Sequence, residues 1–201
     1  ADFGNGNIET SHKFLVLSNL PQDKQFVVDR LLEEIESKVV DPPKVTKKPF
    51  GEDDYTDCDV FQEELKTLNK EHEKNFNSQG YVIDISTNMQ QISLWANSVQ
   101  GIFYATQTLV QLANNYPAQG KFILPHASVL DFPDMSLRGI SDDVSRGQMA
   151  TVEGFKKFIV ELSRFKFNHY FIYIEDVFKF ASHPKIGENR GALTPKDVKE
   201  L

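Results

Sequence analysis

The chain has 201 residues, 40% hydrophobic, 11% aromatic and 25% charged, enough apolar material for a real core in one large or two small domains. A net charge of −7 and a pI near 5.3 argue against nucleic acid or an anionic membrane surface as the main partner. No apolar run approaches the ~20 residues of a membrane span, and the single cysteine, Cys58, excludes an internal disulfide framework and a metal–thiolate cluster.

The first seven residues, Ala1 to Asn7, are polar and glycine-rich and read as the start of a mature or trimmed chain, with no secretory leader visible. Phe14-Leu15-Val16-Leu17 reads as a short buried strand. Pro21 opens a helix whose Val28, Leu31, Leu32 and Ile35 keep helical spacing. Asp41 to Lys48, carrying Pro42, Pro43 and lysines, breaks it as a loop. Cys58 follows among Glu52, Asp53, Asp54, Asp57 and Asp59, whose negative field disfavours a thiolate. That acidic run lacks the central glycine and alternation of a calcium loop and reads as a solvated loop. From Asp59 to Glu73 the polar sequence suggests a surface helix or a partly ordered excursion.

Gly80 opens two strands. Tyr81, Ile83 and Ile85 alternate with Val82, Asp84 and Ser86; Ile92 and Leu94 alternate with Ser93 and Trp95; Asn88 and Gln90 mark the turn. A helix over Val99–Asn114 presents Ile102, Ala105, Leu109 and Leu112 on one face, placed to cover the sheet. Lys121 to Pro125 is extended, and Asp131-Phe132-Pro133-Asp134 is a proline-bearing boundary. Residues 1–130 thus read as an α+β domain, a sheet covered by helices.

Beyond the boundary the rhythm becomes strand, helix, strand, the unit of parallel sheets and (β/α) barrels. Thr151 is a good N-cap for a helix with Phe155, Phe158, Ile159, Leu162 and Phe165 as its apolar stripe. Thr194-Pro195-Lys196-Asp197 starts another helix. Arg138 lies in the first apolar run, which Asp142 and Asp143 end; Glu175 and Asp176 end the second. Carboxylates at the C-terminal ends of barrel strands are where ligands are met, and an arginine within a strand needs a carboxylate or a ligand to compensate it. Spacing alone leaves Arg138 open between an ion pair with Asp142 or Asp143 and a grip on adjacent hydroxyls or a carboxylate of a ligand. The histidines (His12, His72, His126, His169, His183) show no metal-ligand spacing, and no phosphate loop or Gly-x-Ser-x-Gly elbow occurs. No metal or cofactor is expected.

Arg138-Gly139, Asp143 and Ser145-Arg146 together resemble the first barrel strand of family 20 glycoside hydrolases, the β-N-acetylhexosaminidases, which reads roughly Arg-Gly-x-x-x-Asp-x-Ser-Arg. Lys166, Asn168 and Asp176 resemble that family's second strand. Gly80-Tyr81-Val82-Ile83 and the segment from Gly101 to Leu112 resemble the non-catalytic domain that precedes its barrel. The resemblance departs from the family pattern at Val177, where a second aspartate is usual, and at Tyr173, where a histidine is common.

The resemblance implies an α+β N-terminal domain (1–130) followed by the first βα units of a truncated (β/α)8 TIM barrel (131–201), a fragment of a longer enzyme. It implies hydrolysis of terminal β-linked N-acetylhexosamine by a substrate-assisted, retaining mechanism in which the substrate's acetamido group is the nucleophile. The substrate-binding residues it points to are Arg138, Asp143, Glu175 and Asp176, with a structural partnership as the alternative for Asp143, and Arg146 fixing the next loop. The catalytic Asp-Glu pair belongs to a later strand, so the 201-residue chain is expected to be inactive alone. Phe178 and Phe180 suit a sugar-stacking surface or a loop anchor. The expected partner is an N-acetylhexosamine-containing glycan, met in the periplasm or outside the cell. Two other readings stay open: a family 84-like O-GlcNAc hydrolase, though Glu-Gly-Phe-Tyr-Gly is absent, and a non-catalytic carbohydrate-binding or scaffold domain.

Overall fold

The computed structural model describes residues 2–9, 14–18, 22–24, 26–38, 45–49, 64, 66–86, 91–114 and 123–201. The chain divides into two compact units, Ala1–Ser136 and Leu137–Leu201. Among the described residues, the first unit contains β1 (Asp2–Glu9), β2 (Phe14–Ser18), α1 (Phe26–Lys38), β3 (Val45–Pro49), α2 (Lys70–Gln79), β4 (Tyr81–Ser86), β5 (Gln91–Trp95), α3 (Val99–Asn114) and β6 (Ile123–Asp131). The second contains β7 (Gly139–Asp143), α4 (Val152–Arg164), β8 (His169–Tyr173) and α5 (Pro195–Glu200).

The six strands of the first unit form one mixed sheet in the order β1-β6-β4-β5-β2-β3. Its β1–β6, β6–β4 and β4–β5 pairs are antiparallel, and its β5–β2 and β2–β3 pairs are parallel. Tyr81, Ile83 and Ile85 of β4 lie on one face with Ile92 and Leu94 of β5. Against them pack Val28 and Leu31 of α1 and Ile102, Ala105 and Leu109 of α3, all buried. Each large aliphatic side chain so buried contributes about 1.5–3 kcal/mol, which makes this face the main source of the unit's stability. The result is the small α+β arrangement expected from alternation and helical spacing.

Several elements of this unit differ from, or add to, those expected. The glycine-rich start is strand β1, which completes one edge against β6 with an irregularity between Phe3 and Asn7. Glycine weakens strands, so only a non-local partner reveals such a segment, and a bulge is where glycine is tolerated. The segment 45–49 lies not in a loop but in β3, an edge strand parallel to β2. Lysine and terminal proline are the residues that edge strands carry. The helix expected from Pro21 begins only at Phe26, after a 3₁₀ turn over Gln22–Lys24. Strand β6 runs to Asp131, well past Pro125. In the polar stretch, α2 starts at Lys70 because the Asn69 side chain accepts from the Glu71 and His72 amides. Cys58 and the acidic run 52–59 lie outside the described residues, as does the turn at 87–90.

Polar anchors finish this unit. Asn75 and Gln79 of α2 donate to the carbonyls of Asp134 (3.0 Å) and Ser136 (2.9 Å), tying down the segment after β6. Phe76 stacks on Trp95. The buried Tyr81 hydroxyl bonds Asp131 and Thr108, and burial first, then Asp131, raises its pKa.

In the second unit β7 and β8 are parallel neighbours, Gly139 opposite His169 and Asp143 opposite Tyr173. Thr151 caps α4 by accepting from the Gly154 amide. Phe155 and Leu162 of α4 are buried, with Val144, Val177 and Leu193 joining Phe155 in a small core. Phe158 and Phe165, expected in the same stripe, are 39% and 68% exposed, so the buried face is narrower than the sequence suggests. Thr194 and Asp197 form a reciprocal capping box with Pro195 in the first turn of α5.

Candidate functional site

Five residues of strand separate the two ends of β7, and the charged side chains divide between those ends. Arg138 precedes β7 at its N-terminal end. Its Nε and Nη2 donate to the Lys166 carbonyl (3.1 and 2.8 Å), and its amide donates to Asn168 Oδ1 (2.9 Å). Lys166 itself turns through φ 61°, a left-handed conformation that this grip helps to hold. The ion pair with Asp142 or Asp143 is not what forms. Asp142 accepts from the Tyr170 hydroxyl at 2.5 Å, an interaction that, after burial, raises the Tyr170 pKa. Asp143 accepts from Ser145 and Arg146.

The other end carries a charge circuit. Asp143 Oδ1 accepts from the Ser145 amide (3.0 Å) and hydroxyl (2.6 Å), and Oδ2 accepts from Arg146 Nε (3.1 Å). The Ser145 hydroxyl first, its amide next and Arg146 after them hold the Asp143 carboxyl below its ordinary pKa. Arg146 Nη1 and Nη2 reach Glu175 Oε2 (3.2 Å) and Oε1 (2.8 Å), the two-pronged geometry that suits guanidinium to carboxylate. Tyr173 donates to Glu175 Oε1 at 3.0 Å, which raises the phenol's pKa. Asp176 stands next, with Arg190 Nη2 at 3.5 Å; the same nitrogen donates to the Ser145 carbonyl at 3.1 Å.

Of the four residues singled out from sequence, the fold brings Asp143 and Glu175 together through Arg146 and sets Asp176 beside them. It places Arg138 at the opposite end of the strand, about 16 Å away along an extended chain. Arg190 escaped the sequence reading because it lies in a long loop with no motif around it. Ser145 and Arg146 were visible as part of the first-strand pattern, but their partners were not. Phe178 and Phe180 meet edge to face at 5.0 Å, with Phe178 packed on the small core, so they do not form a flat stacking platform. A cleft of about 240 Å³ opens at this end, lined in part by Val144, Met149, Val177, Asn189 and Arg190. Among the described residues no group of three or more His, Cys, Asp or Glu side chains could hold a metal, and no helix is long and apolar enough to cross a membrane.

Comparison with known proteins gives these features a family. Solved structures share the fold across 99% of the chain. One is a mutant Streptomyces plicatus beta-hexosaminidase in complex with its product GlcNAc, at 18% identity and a TM-score of 0.73, 40% of whose length is covered. Another is the GH20 exo beta-N-acetylglucosaminidase from Vibrio harveyi in complex with N-acetylglucosamine, at 17% identity and a TM-score of 0.69, with 32% covered. A third is the Flavobacterium johnsoniae chitobiase, at 20% identity and a TM-score of 0.69, with 30% covered. The chain thus spans two fifths or less of these proteins. No curated protein sequence matches it. The family model described as glycosyl hydrolase family 20, domain 2, matches residues 2–132, the whole six-stranded sheet and its helices. This chain therefore belongs to glycosyl hydrolase family 20.

Proposed function

We propose that the chain is the leading part of an enzyme that hydrolyses terminal β-linked N-acetylhexosamine residues, its first unit the non-catalytic α+β domain and its second the first βα units of a (β/α)8 barrel. The observation that carries the reading is the family match over residues 2–132, followed directly by a parallel β7-α4-β8 unit. The junction falls between β6 and β7. The same match favours family 20 over family 84. Carboxylates gathered at the C-terminal end of β7 and β8 lie where barrel enzymes bind ligand. The cleft there, about 240 Å³, is smaller than the usual ligand pocket of ~300–1,000 Å³, as expected if later parts of a barrel complete it.

In this reading the substrate's acetamido oxygen attacks the anomeric carbon while a carboxylic acid protonates the leaving oxygen. That acid and the carboxylate orienting the acetamido group come from outside these 201 residues. The second unit contributes ground-state binding at the C-terminal end of β7 and β8, and Arg138 holds the loop at the other end.

The test is hydrolysis of 4-nitrophenyl N-acetyl-β-glucosaminide. The 201-residue chain should give no turnover, since general acid catalysis alone is worth ~10²–10⁴-fold. The protein extended through a complete barrel should turn it over and leave 4-nitrophenyl β-glucoside, which has no acetamido group, intact. Turnover by the 201-residue chain, or equal action of the extended protein on both glycosides, refutes the proposal.

A further inference from the structure

We infer that Arg146 is a positioning residue of this same site, a clasp that joins the ends of β7 and β8 and thereby sets the carboxylate of Asp176. The inference rests on the hexosaminidase reading for its substrate but on geometry for the clasp.

Three N–H groups of one guanidinium are committed: Nε to Asp143, Nη1 and Nη2 to Glu175. The two acids sit at different strand ends, so the contact adds a side-chain link just beyond the last backbone bond there, from the Val144 amide to the Tyr173 carbonyl. Glu175 is a residue with a side chain at φ 33°, a backbone state that is sparsely populated and persists only where surrounding contacts determine it. Those contacts are the Val177 amide, which donates to the Ile174 carbonyl across the turn, and, on the Glu175 carboxylate, Arg146 and the Tyr173 hydroxyl. Asp176 is the next residue, so the direction of its side chain follows from the turn at Glu175.

The accounting of acceptors separates roles among the acids. Asp143 receives three hydrogen bonds and Glu175 receives three. Asp176 has a single approach at 3.5 Å, from Arg190. Of the three carboxylates in this circuit Asp176 has the most acceptor capacity left for a sugar hydroxyl, and Asp143 and Glu175, singled out as sugar ligands from sequence, act through Arg146 instead. Lysine cannot replace Arg146, because a single ammonium cannot span both carboxylates in the same forked geometry.

Two measurements test this. In the 201-residue chain, Arg146→Ala should speed amide exchange at Ser145 and Val177 at least tenfold while exchange at Ile83 and Leu94 in the other unit stays unchanged; unchanged exchange at Ser145 and Val177 overturns the clasp, whatever the enzyme's activity. In the protein extended through its barrel, Arg146→Ala and Glu175→Gln should each raise KM about tenfold with kcat changed less than about threefold, since a misplaced binding group loses uniform binding. The double variant should be no worse than Arg146→Ala alone, and Arg146→Lys should not restore KM. A Glu175→Gln loss much larger than that of Arg146→Ala, with additive losses in the double variant, makes Glu175 a direct ligand and overturns the assignment. If the extended wild-type protein has no hexosaminidase activity, the proposed function fails while the exchange result still decides the clasp.

Discussion

Gly101 offers the sharpest test of how the first unit is held together, because two effects of Gly101→Ala oppose each other. Alanine is the better helix former, by up to ~1 kcal/mol in a helix interior, less in a first turn such as this one. Yet a Cβ at residue 101 would overlap the Gly80 carbonyl oxygen and come within 2.7 Å of the Ala96 Cβ. Neither obstacle is the far end of a flexible side chain. The Gly80 carbonyl is fixed by the start of β4, and Ala96 is buried where β5 ends. Helix α3 would have to lift from the sheet, loosening Ile102 and Ala105, both fully buried. Overpacking of this kind costs ~1–3 kcal/mol and exceeds the helix gain. The expected net loss is about 1–2 kcal/mol, or a fall of ~3–6 °C in melting temperature for a chain of this size. Urea unfolding followed by the fluorescence of Trp95, the single tryptophan, reads the affected unit directly. A midpoint equal to or above that of the wild type would refute the account of α3 docking.

Two further expectations concern the second unit. Phe155 is 1% exposed at the centre of a small core, so Phe155→Ala should cost about 3–5 kcal/mol and abolish the dispersed amide spectrum of residues 137–201 while Trp95 fluorescence is unchanged. Acid should act on the same unit. Asp143, Asp197 and Glu200 are held below their ordinary pKa values by Ser145, Thr194 and Lys156 respectively, so each titrates lower in the folded than in the unfolded state. Their contribution is fully present above the ordinary carboxylate values near ~4 and is lost as the pH falls through the lower folded values. The melting temperature should be flat from pH 7 to about pH 5 and drop below about pH 4; Asp197→Asn should shrink that drop, and a profile unchanged by that substitution would count against the linkage.

What the sequence determined by itself was local. Val99–Asn114 emerges with its apolar face because Ile102, Ala105 and Leu109 recur at helical spacing. Helices α4 and α5 begin where Thr151 and Thr194 can cap them, since a cap is satisfied within three residues. The acids at the ends of the two apolar runs were legible for the same reason: strand alternation and its termination are short-range patterns. Partnerships between distant segments were decided only by the tertiary structure. Strands β1 and β3 have poor strand sequences and exist because β6 and β2 offer edges to them. Arg138 met the Lys166 carbonyl because the turn into β8 returns to the N-terminal end of β7. Arg146 joined Asp143 to Glu175 because parallel pairing sets Asp143 beside Tyr173, two residues before Glu175. Spacing along the chain fixes which side chains share a face, but a parallel crossover through a helix fixes which strand ends meet, and no residue near either end carries that information.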